Sequence, residues 1–285
     1  MAPPGDRRGR GDDPLAAYRR LRKPMPPPER VQGDRRRELS EREAEREAEE
    51  AEIDWQASPG SSPAGDRPAP RLPFEDRRDA GMQLAAKLAA LRDANVVVLG
   101  IPRGGVEVAA AVADELGAQL DVVIPKKVGA PGNSELGLGA VADGLEVLDE
   151  RLIRALGVSE EYLRAEIQTE QDEVRRRAVA YRGARPPLDL ADRVAVVVDD
   201  GVATGGTARA ALRWARSRGA RRVLLAVPVA PGETLASLAA DADRVVAVAT
   251  PEPFYAVGQW YRTFPQISDE RVVELLSPRM TEGGE

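Results

Sequence analysis

Short apolar runs alternate with helical repeats over most of the chain. Five runs stand out, at residues 95–100, 121–125, 194–198, 223–229 and 244–249. Runs of this length, bounded by turn residues, predict strands that are buried on both faces. Strands that alternate with helices predict an α/β fold with a mainly parallel, twisted sheet flanked by helices.

The first 73 residues lack this alternation. Residues 1–33 are rich in Pro, Gly, Arg and Asp, residues 34–53 alternate Arg with Glu, and residues 58–73 form a Pro/Gly/Ser linker. Such segments bury too little apolar surface to offset their ordering entropy, although the Arg/Glu pairs favour a solvated helix in the middle one. We therefore predict a disordered, charged extension and linker over residues 1–73 and a folded domain over residues 74–278.

The stretch after the run at 194–198 suggests a binding site. Asp199 and Asp200 are followed by a loop of small residues, which leads into an Ala/Leu/Arg-rich helical segment. Backbone N–H groups of such a loop can converge on one phosphate, and the helix N-terminus adds partial positive charge. Carboxylates repel phosphate but accept hydrogen bonds from vicinal hydroxyls, as on a ribose. We interpret the stretch as a sugar-phosphate site; the alternative is a plain strand-to-helix turn.

A second glycine loop follows the run at 95–100. It reads Pro102-Arg103-Gly104-Gly105 and leads into a helix over residues 106–116, so that Arg103 could meet a second anionic group. On its own this could also be a glycine turn with a solvated arginine.

Lys126 and Lys127 follow the third run and are either anion ligands or ordinary solvated lysines. Residues 128–139 contain five glycines or prolines, which predicts a mobile loop. The Asp-Gly pair at 143–144 predicts the turn of a β-hairpin formed by residues 138–141 and 145–148.

Composition narrows the chemistry. The chain has 285 residues with no His and no Cys, which excludes histidine bases, Ser-His-Asp triads and His or Cys metal sites. A formal net charge of −6 argues against a nucleic-acid partner. No apolar segment approaches membrane-spanning length, so we expect a cytoplasmic protein without membrane association.

The strand, acidic pair and Ala-Thr-Gly-Gly-Thr loop closely resemble the phosphoribosyl-pyrophosphate (PRPP) motif of type I phosphoribosyltransferases. The Pro-Arg-Gly-Gly, Gly-Ala-Pro-Gly-Asn and Phe-Tyr-Ala-Val-Gly segments resemble a bacterial subgroup of unassigned base specificity. The resemblance spans about residues 74–276 and implies a small hood beside the sheet. It also implies transfer of the 5-phosphoribosyl group of PRPP to a nucleobase-like acceptor with release of pyrophosphate.

The resemblance also implies roles for individual residues. Expected catalytic residues are Asp199, Asp200, Lys126 and Arg103. Expected PRPP-binding residues are Arg103, Gly104, Gly105, Lys126, Lys127, Asp199, Asp200, Ala203, Thr204, Gly205, Gly206 and Thr207. The expected cofactor is Mg²⁺, bound mainly through the substrate, with Asp199 and Asp200 as candidate protein ligands. The expected partners are small-molecule substrates, and a homodimer is compatible with the family.

Two other functions stay open. One is a regulatory protein that senses PRPP or a nucleotide on the same fold without catalysis. The other is a phosphatase of the α/β hydrolase or dehalogenase type with Asp199 as nucleophile, which the Gly-Gly-Thr ending disfavours. The aromatic residues between 251 and 264 either stack on a nucleobase or cover the edge of the sheet.

Overall fold

The computed structural model describes residues 69–92 and 94–277, apart from the side chains of Ser134 and Glu135. Residues 1–68 of the N-terminal extension predicted to be disordered therefore lie outside the described residues, and the domain boundary at residues 73–74 stays a prediction. None of the helices in the described part combines the length and apolar character that crossing a bilayer requires.

Eight strands occur in the described residues, and they form two sheets. Their bounds are β1 Val96–Gly100, β2 Gln119–Val122, β3 Lys126–Ala130, β4 Asn133–Ala142, β5 Leu145–Leu148, β6 Val194–Val198, β7 Arg222–Val229 and β8 Arg244–Ala249. The central sheet has the order β2-β1-β6-β7-β8, and all its neighbouring strands are parallel. The predicted α/β fold with a mainly parallel sheet is confirmed.

Seven α-helices of the described part connect or cover the strands. Their bounds are α1 Arg77–Lys87, α2 Gly104–Leu116, α3 Glu150–Leu156, α4 Glu160–Arg182, α5 Gly206–Ser217, α6 Gly232–Leu238 and α7 Asp269–Leu276. Ser159 and Ser268 cap α4 and α7, each accepting a hydrogen bond from a backbone N–H of the first turn. Gly117 ends α2 in the left-handed conformation (φ 63°) that a residue without Cβ adopts most easily.

The apolar runs form strands because the central sheet is covered on both faces. All five residues of β1 and of β6 are buried, and Val98 of β1 lies opposite Leu120 of β2 and Val196 of β6. Alternate residues of each strand join one of two hydrophobic clusters; Trp214 of α5 is the largest side chain of one, and Tyr181 of α4 belongs to the other. Each fully buried valine contributes about 1.5–3 kcal/mol relative to an exposed one.

The second sheet has the antiparallel order β3-β4-β5 and corrects one prediction. Residues 128–139, predicted to be a mobile loop, instead lie in β3 and β4 and in the tight turn between them. Two of their glycines lie at irregular positions of the hairpin. Gly132 has φ 71° in the turn, and the register of β3 with β4 shifts on both sides of Gly129. The predicted Asp-Gly hairpin turn is confirmed between β4 and β5, with Gly144 at φ 76°.

The order of the central sheet determines where a ligand can enter. The chain runs from β1 outward to β2 on one side, and from β6 through β7 to β8 on the other. The strand order thus reverses between β1 and β6. In open α/β sheets, ligands bind in the crevice that such a reversal leaves beyond the carboxyl ends of the strands.

Candidate functional site

The two glycine loops identified in the sequence begin side by side at this crevice. Gly100 and Val198, the last residues of β1 and β6, are paired in register, and the N–H of Ile101 donates to the carbonyl of Val198 at 2.9 Å. The Pro102–Gly105 loop and the loop from Asp199 to Thr207 therefore share one edge of the sheet.

The Pro102–Gly105 loop lies directly against the acidic pair. A Cβ placed on Gly104 would come within 1.9 Å of Asp200 Oδ2, and one on Gly105 within 2.8 Å of the Asp199 Cα. The peptide bond between Pro102 and Arg103 is cis. Gly104 and Gly105 are both needed because a Cβ at either position would collide with the acidic pair. The structure thus brings together four of the residues predicted to bind PRPP, namely Gly104, Gly105, Asp199 and Asp200.

The acidic pair lies in a poorly solvated position. Asp199 Oδ1 accepts a hydrogen bond from the backbone N–H of Asp200 at 2.9 Å. Burial raises the pKa of Asp199 well above its ordinary value, and the charge of Asp200 raises it further. Burial also raises the pKa of Asp200, although hydrogen bonding to Arg77 opposes that shift. Two half-buried carboxyls that resist ionisation together are suited to a ligand that supplies hydroxyl donors or positive charge.

Arg77, at the start of α1, is a site residue that the sequence reading missed. Its side chain is 5% exposed, and its Nε donates to Asp200 Oδ2 at 2.8 Å. A terminal guanidinium nitrogen donates to the carbonyl of Pro265 at 2.8 Å, and the guanidinium lies 3.8 Å from the ring centroid of Phe264. In the sequence, the helical repeat of apolar residues in this segment begins only at Met82, so nothing in the local pattern distinguishes Arg77 from a solvated arginine.

The predicted phosphate loop is open to solvent and uncapped. Ala203, Thr204, Gly206 and Thr207 are exposed, whereas Gly205 is buried at φ 82° against Leu238. Helix α5 begins at Gly206, and no side chain caps its first N–H groups. Exposed donors at a helix N-terminus are what a bound phosphate requires.

Thr234 supports this loop from α6 and was not foreseen. Its hydroxyl donates to the carbonyl of Ala203 at 2.8 Å, and the residue is 8% exposed. The N–H of Val202 is held by the carbonyl of Val229 at 3.0 Å. The base of the loop is therefore fixed by β7 and α6, while its rim faces solvent.

The predicted basic residues lie in different surroundings. The side chain of Arg103 is 42% exposed, and one of its terminal nitrogens lies 3.9 Å from Asp269 Oδ1. Lys126 and Lys127 begin β3 in the second sheet, and Lys126 Nζ lies 3.1 Å from Glu170 Oε2 on α4. Their roles toward a diphosphate stay predictions.

Most of the aromatic segment packs inward. The rings of Phe254 and Trp260 lie 6.2 Å apart, and the ring of Tyr261 lies 4.8 Å from that of Phe264. Tyr255, by contrast, is 83% exposed. Four of the five rings therefore pack against another ring, and Tyr255 presents a largely free face; both predicted roles, stacking on a nucleobase and covering the sheet edge, stay predictions.

The described residues do not by themselves form a metal centre. Among residues 69–92 and 94–277, no three Asp, Glu, His or Cys side chains gather as ligands. Of the two carboxylates at the site, Asp200 already shares Oδ2 with Arg77. This donor set suits a magnesium ion that arrives on a diphosphate, and not one held by the protein alone.

The fold is that of the phosphoribosyl transferase domain. The phosphoribosyl transferase domain family matches residues 75–254, and the chain belongs to that family. The protein Rv0571c of Mycobacterium tuberculosis strain H37Rv, whose name places it among phosphoribosyl transferases, is 48% identical over 204 residues. That match covers 71% of this chain and 46% of the relative, so the chain spans about half the length of its curated relatives.

The chain is also similar to a solved structure. The crystal structure of TT1426 from Thermus thermophilus is 48% identical, covers 71% of this chain and 97% of its own, and superposes with a TM-score of 0.64. The recognition of the phosphoribosyltransferase family from sequence is confirmed.

Proposed function

We propose that this protein transfers the 5-phosphoribosyl group of PRPP to a nucleobase-like acceptor and releases pyrophosphate. The observation that carries the proposal is the pairing of an exposed, uncapped loop with two half-buried carboxyls at the crevice between β1 and β6. The loop suits the 5-phosphate, and the carboxyls suit the ribose hydroxyls beside it.

Each part of PRPP has a counterpart in the site. The N–H groups and hydroxyls of residues 203–207 receive the 5-phosphate, and Thr234 keeps the loop in place through Ala203. Asp199 and the Oδ1 atom of Asp200 accept hydrogen bonds from the ribose. The Pro102–Gly105 loop brings Arg103 to the diphosphate, because Gly104 and Gly105 let its backbone approach the sugar-binding carboxyls.

In the reaction, the bond between C1 of the ribose and the diphosphate oxygen breaks, and the leaving group keeps the electron pair. A nitrogen of the acceptor forms the new bond to C1 and loses its proton to solvent. The ribose ring gains positive charge on the way, which the neighbouring carboxylates stabilise. The leaving diphosphate gains negative charge, which Arg103 and Lys126 or Lys127 stabilise. This chemistry needs no histidine.

Magnesium enters this scheme as part of the substrate. When bound to the diphosphate, it neutralises charge on the leaving group. Asp199 and Asp200 would then help to hold the ion without being its only ligands, in keeping with the few carboxylates at the described site.

The deciding experiment incubates the full chain with PRPP, Mg²⁺ and a panel of nucleobases and measures pyrophosphate and the nucleotide product. We expect pyrophosphate release that depends on one acceptor class, and loss of that release in Asp199→Asn. Binding of PRPP without release under any acceptor would favour the sensing alternative. Release of inorganic phosphate from sugar phosphates would instead favour the hydrolase, and absence of PRPP binding would refute the proposal.

A further inference from the structure

A cluster of packed side chains outside both loops contacts Asp200 from two directions. It consists of Arg77, Tyr261 and Phe264, called here the arginine cluster. We propose that Arg77 is a positioning residue for PRPP, acting through Asp200, and that the arginine cluster couples the C-terminal aromatic segment to the sugar-binding end of the site. This inference rests on the proposed function, because it names PRPP as the ligand that Asp200 meets.

The guanidinium of Arg77 contacts protein groups and is not placed to bind the substrate. Its side chain is 5% exposed, Nε donates to Asp200 Oδ2, and a terminal nitrogen donates to the carbonyl of Pro265. One face of its guanidinium stacks on Phe264 at 3.8 Å. A planar group fixed at these three places has little freedom to turn toward a ligand, so its influence passes through the oxygen it holds.

Tyr261 holds the same aspartate by its main chain. Its hydroxyl donates to the backbone carbonyl of Asp200 at 2.5 Å, and burial raises the pKa of Tyr261, so the hydroxyl stays a donor at neutral pH. The Tyr261 ring lies 4.8 Å from Phe264 and 5.3 Å from Phe74. Side chain and main chain of Asp200 are therefore both anchored by one packed cluster.

This anchoring determines which atom of Asp200 is left for a ligand. With Oδ2 engaged by Arg77, Oδ1 is the oxygen that remains for a sugar hydroxyl. Without Arg77 the carboxyl is free to rotate over Gly104, where only a glycine leaves room for it. We therefore expect loss of Arg77 to weaken PRPP binding even though Arg77 does not touch PRPP.

The test is a double-mutant cycle on PRPP affinity, measured by calorimetry with Mg²⁺ on the full chain. Arg77→Met should raise the Kd for PRPP about tenfold or more, because a hydrogen bond to a charged group is lost. Arg78→Met, which removes an exposed arginine from the next position of α1, should leave the Kd within about twofold of the parent. In an Asp200→Asn background, Arg77→Met should change the Kd by less than about twofold, because the carboxylate through which Arg77 acts is already absent.

Folding is followed by thermal melts, and Arg77→Lys serves if Arg77→Met does not fold. Lysine keeps the charge but cannot hold two acceptors and stack, so we expect a Kd between those of the parent and Arg77→Met. The inference is overturned if Arg77→Met and Arg77→Lys both bind PRPP like the parent. It is also overturned if the losses from Arg77→Met and Asp200→Asn multiply. A parent that fails to bind PRPP is a separate outcome, which refutes the proposed function and this inference with it.

Discussion

The close contact between Gly104 and Asp200 predicts the effect of a methyl group added at position 104. In Gly104→Ala, the new Cβ would lie 1.9 Å from Asp200 Oδ2, 2.7 Å from its Cγ and 2.9 Å from Arg77 Nε. Ordinary contact begins at 3.4 Å, so the carboxylate oxygen must retreat by about 1.5 Å in a packed interior that has little free space. The hydrogen bond of 2.8 Å between Arg77 and Asp200 cannot survive that shift.

The expected cost follows from these distances. Losing a hydrogen bond between charged groups costs about 1.5–3 kcal/mol. Replacing a helical glycine by alanine returns about 0.4–1 kcal/mol by restricting the unfolded chain. We therefore expect a net destabilisation of about 1–2 kcal/mol, which lowers the melting temperature of a domain of this size by about 2–8 °C. PRPP affinity should fall as well, because Asp200 is displaced.

The matched control is Gly232→Ala. Gly232 is also the first residue of a helix, yet a Cβ placed there meets nothing within 4 Å. The control should melt at or slightly above the parent temperature in the same scanning calorimetry or fluorescence melt. If Gly104→Ala melts like the control and binds PRPP like the parent, the close packing of the Pro102–Gly105 loop on the acidic pair is wrong.

Three further predictions concern other parts of the site. Asp199→Asn should abolish transfer yet stabilise the free protein. Burial raises the pKa of Asp199, so the contribution of this carboxyl to the free energy of unfolding is complete below its ordinary pKa and is lost as pH rises through the raised pKa. The gain in melting temperature of Asp199→Asn over the parent should therefore grow from acidic to mildly alkaline buffer. Thr234→Val should raise the KM for PRPP several-fold and leave kcat near the parent value, since it frees the Ala203 carbonyl without touching the reacting atoms; an unchanged KM would remove Thr234 from loop support. Lys126→Met should lower kcat, whereas Glu170→Gln, which only removes the ion-pair partner of Lys126, should not; equal losses in both variants would assign Lys126 to the scaffold.

The strands and several helix ends could be predicted because their signals are local. A strand covered on both faces needs apolar residues at every position, and the runs at β1, β6 and β7 have them. Ser159 and Ser268 act on N–H groups three residues away, within the same turn. The candidate phosphate loop could be recognised for the same reason, since its small residues follow one another between a strand and a helix.

The glycines of β3 and β4 show where local reasoning fails. Glycine is common both in mobile loops and in bulged hairpins, and the difference depends on whether a partner strand is present. Gly139 illustrates this, because a Cβ there would lie 2.2 Å from the carbonyl of Val147 in β5. Composition alone could not reveal that contact, and the prediction of a mobile loop was wrong.

The sequence by itself determined the parallel sheet, the two glycine loops and the acidic pair, because each depends on residues adjacent in the chain. Only the tertiary structure decided that these loops meet at the reversal between β1 and β6, and that Arg77 holds Asp200 across a separation of 123 residues. Such contacts leave no periodic trace in the sequence, since one buried arginine satisfied by a distant carboxylate follows no repeat. The physical reason is that periodicity reports which face of an element is buried, whereas the identity of a polar partner depends on how the elements pack.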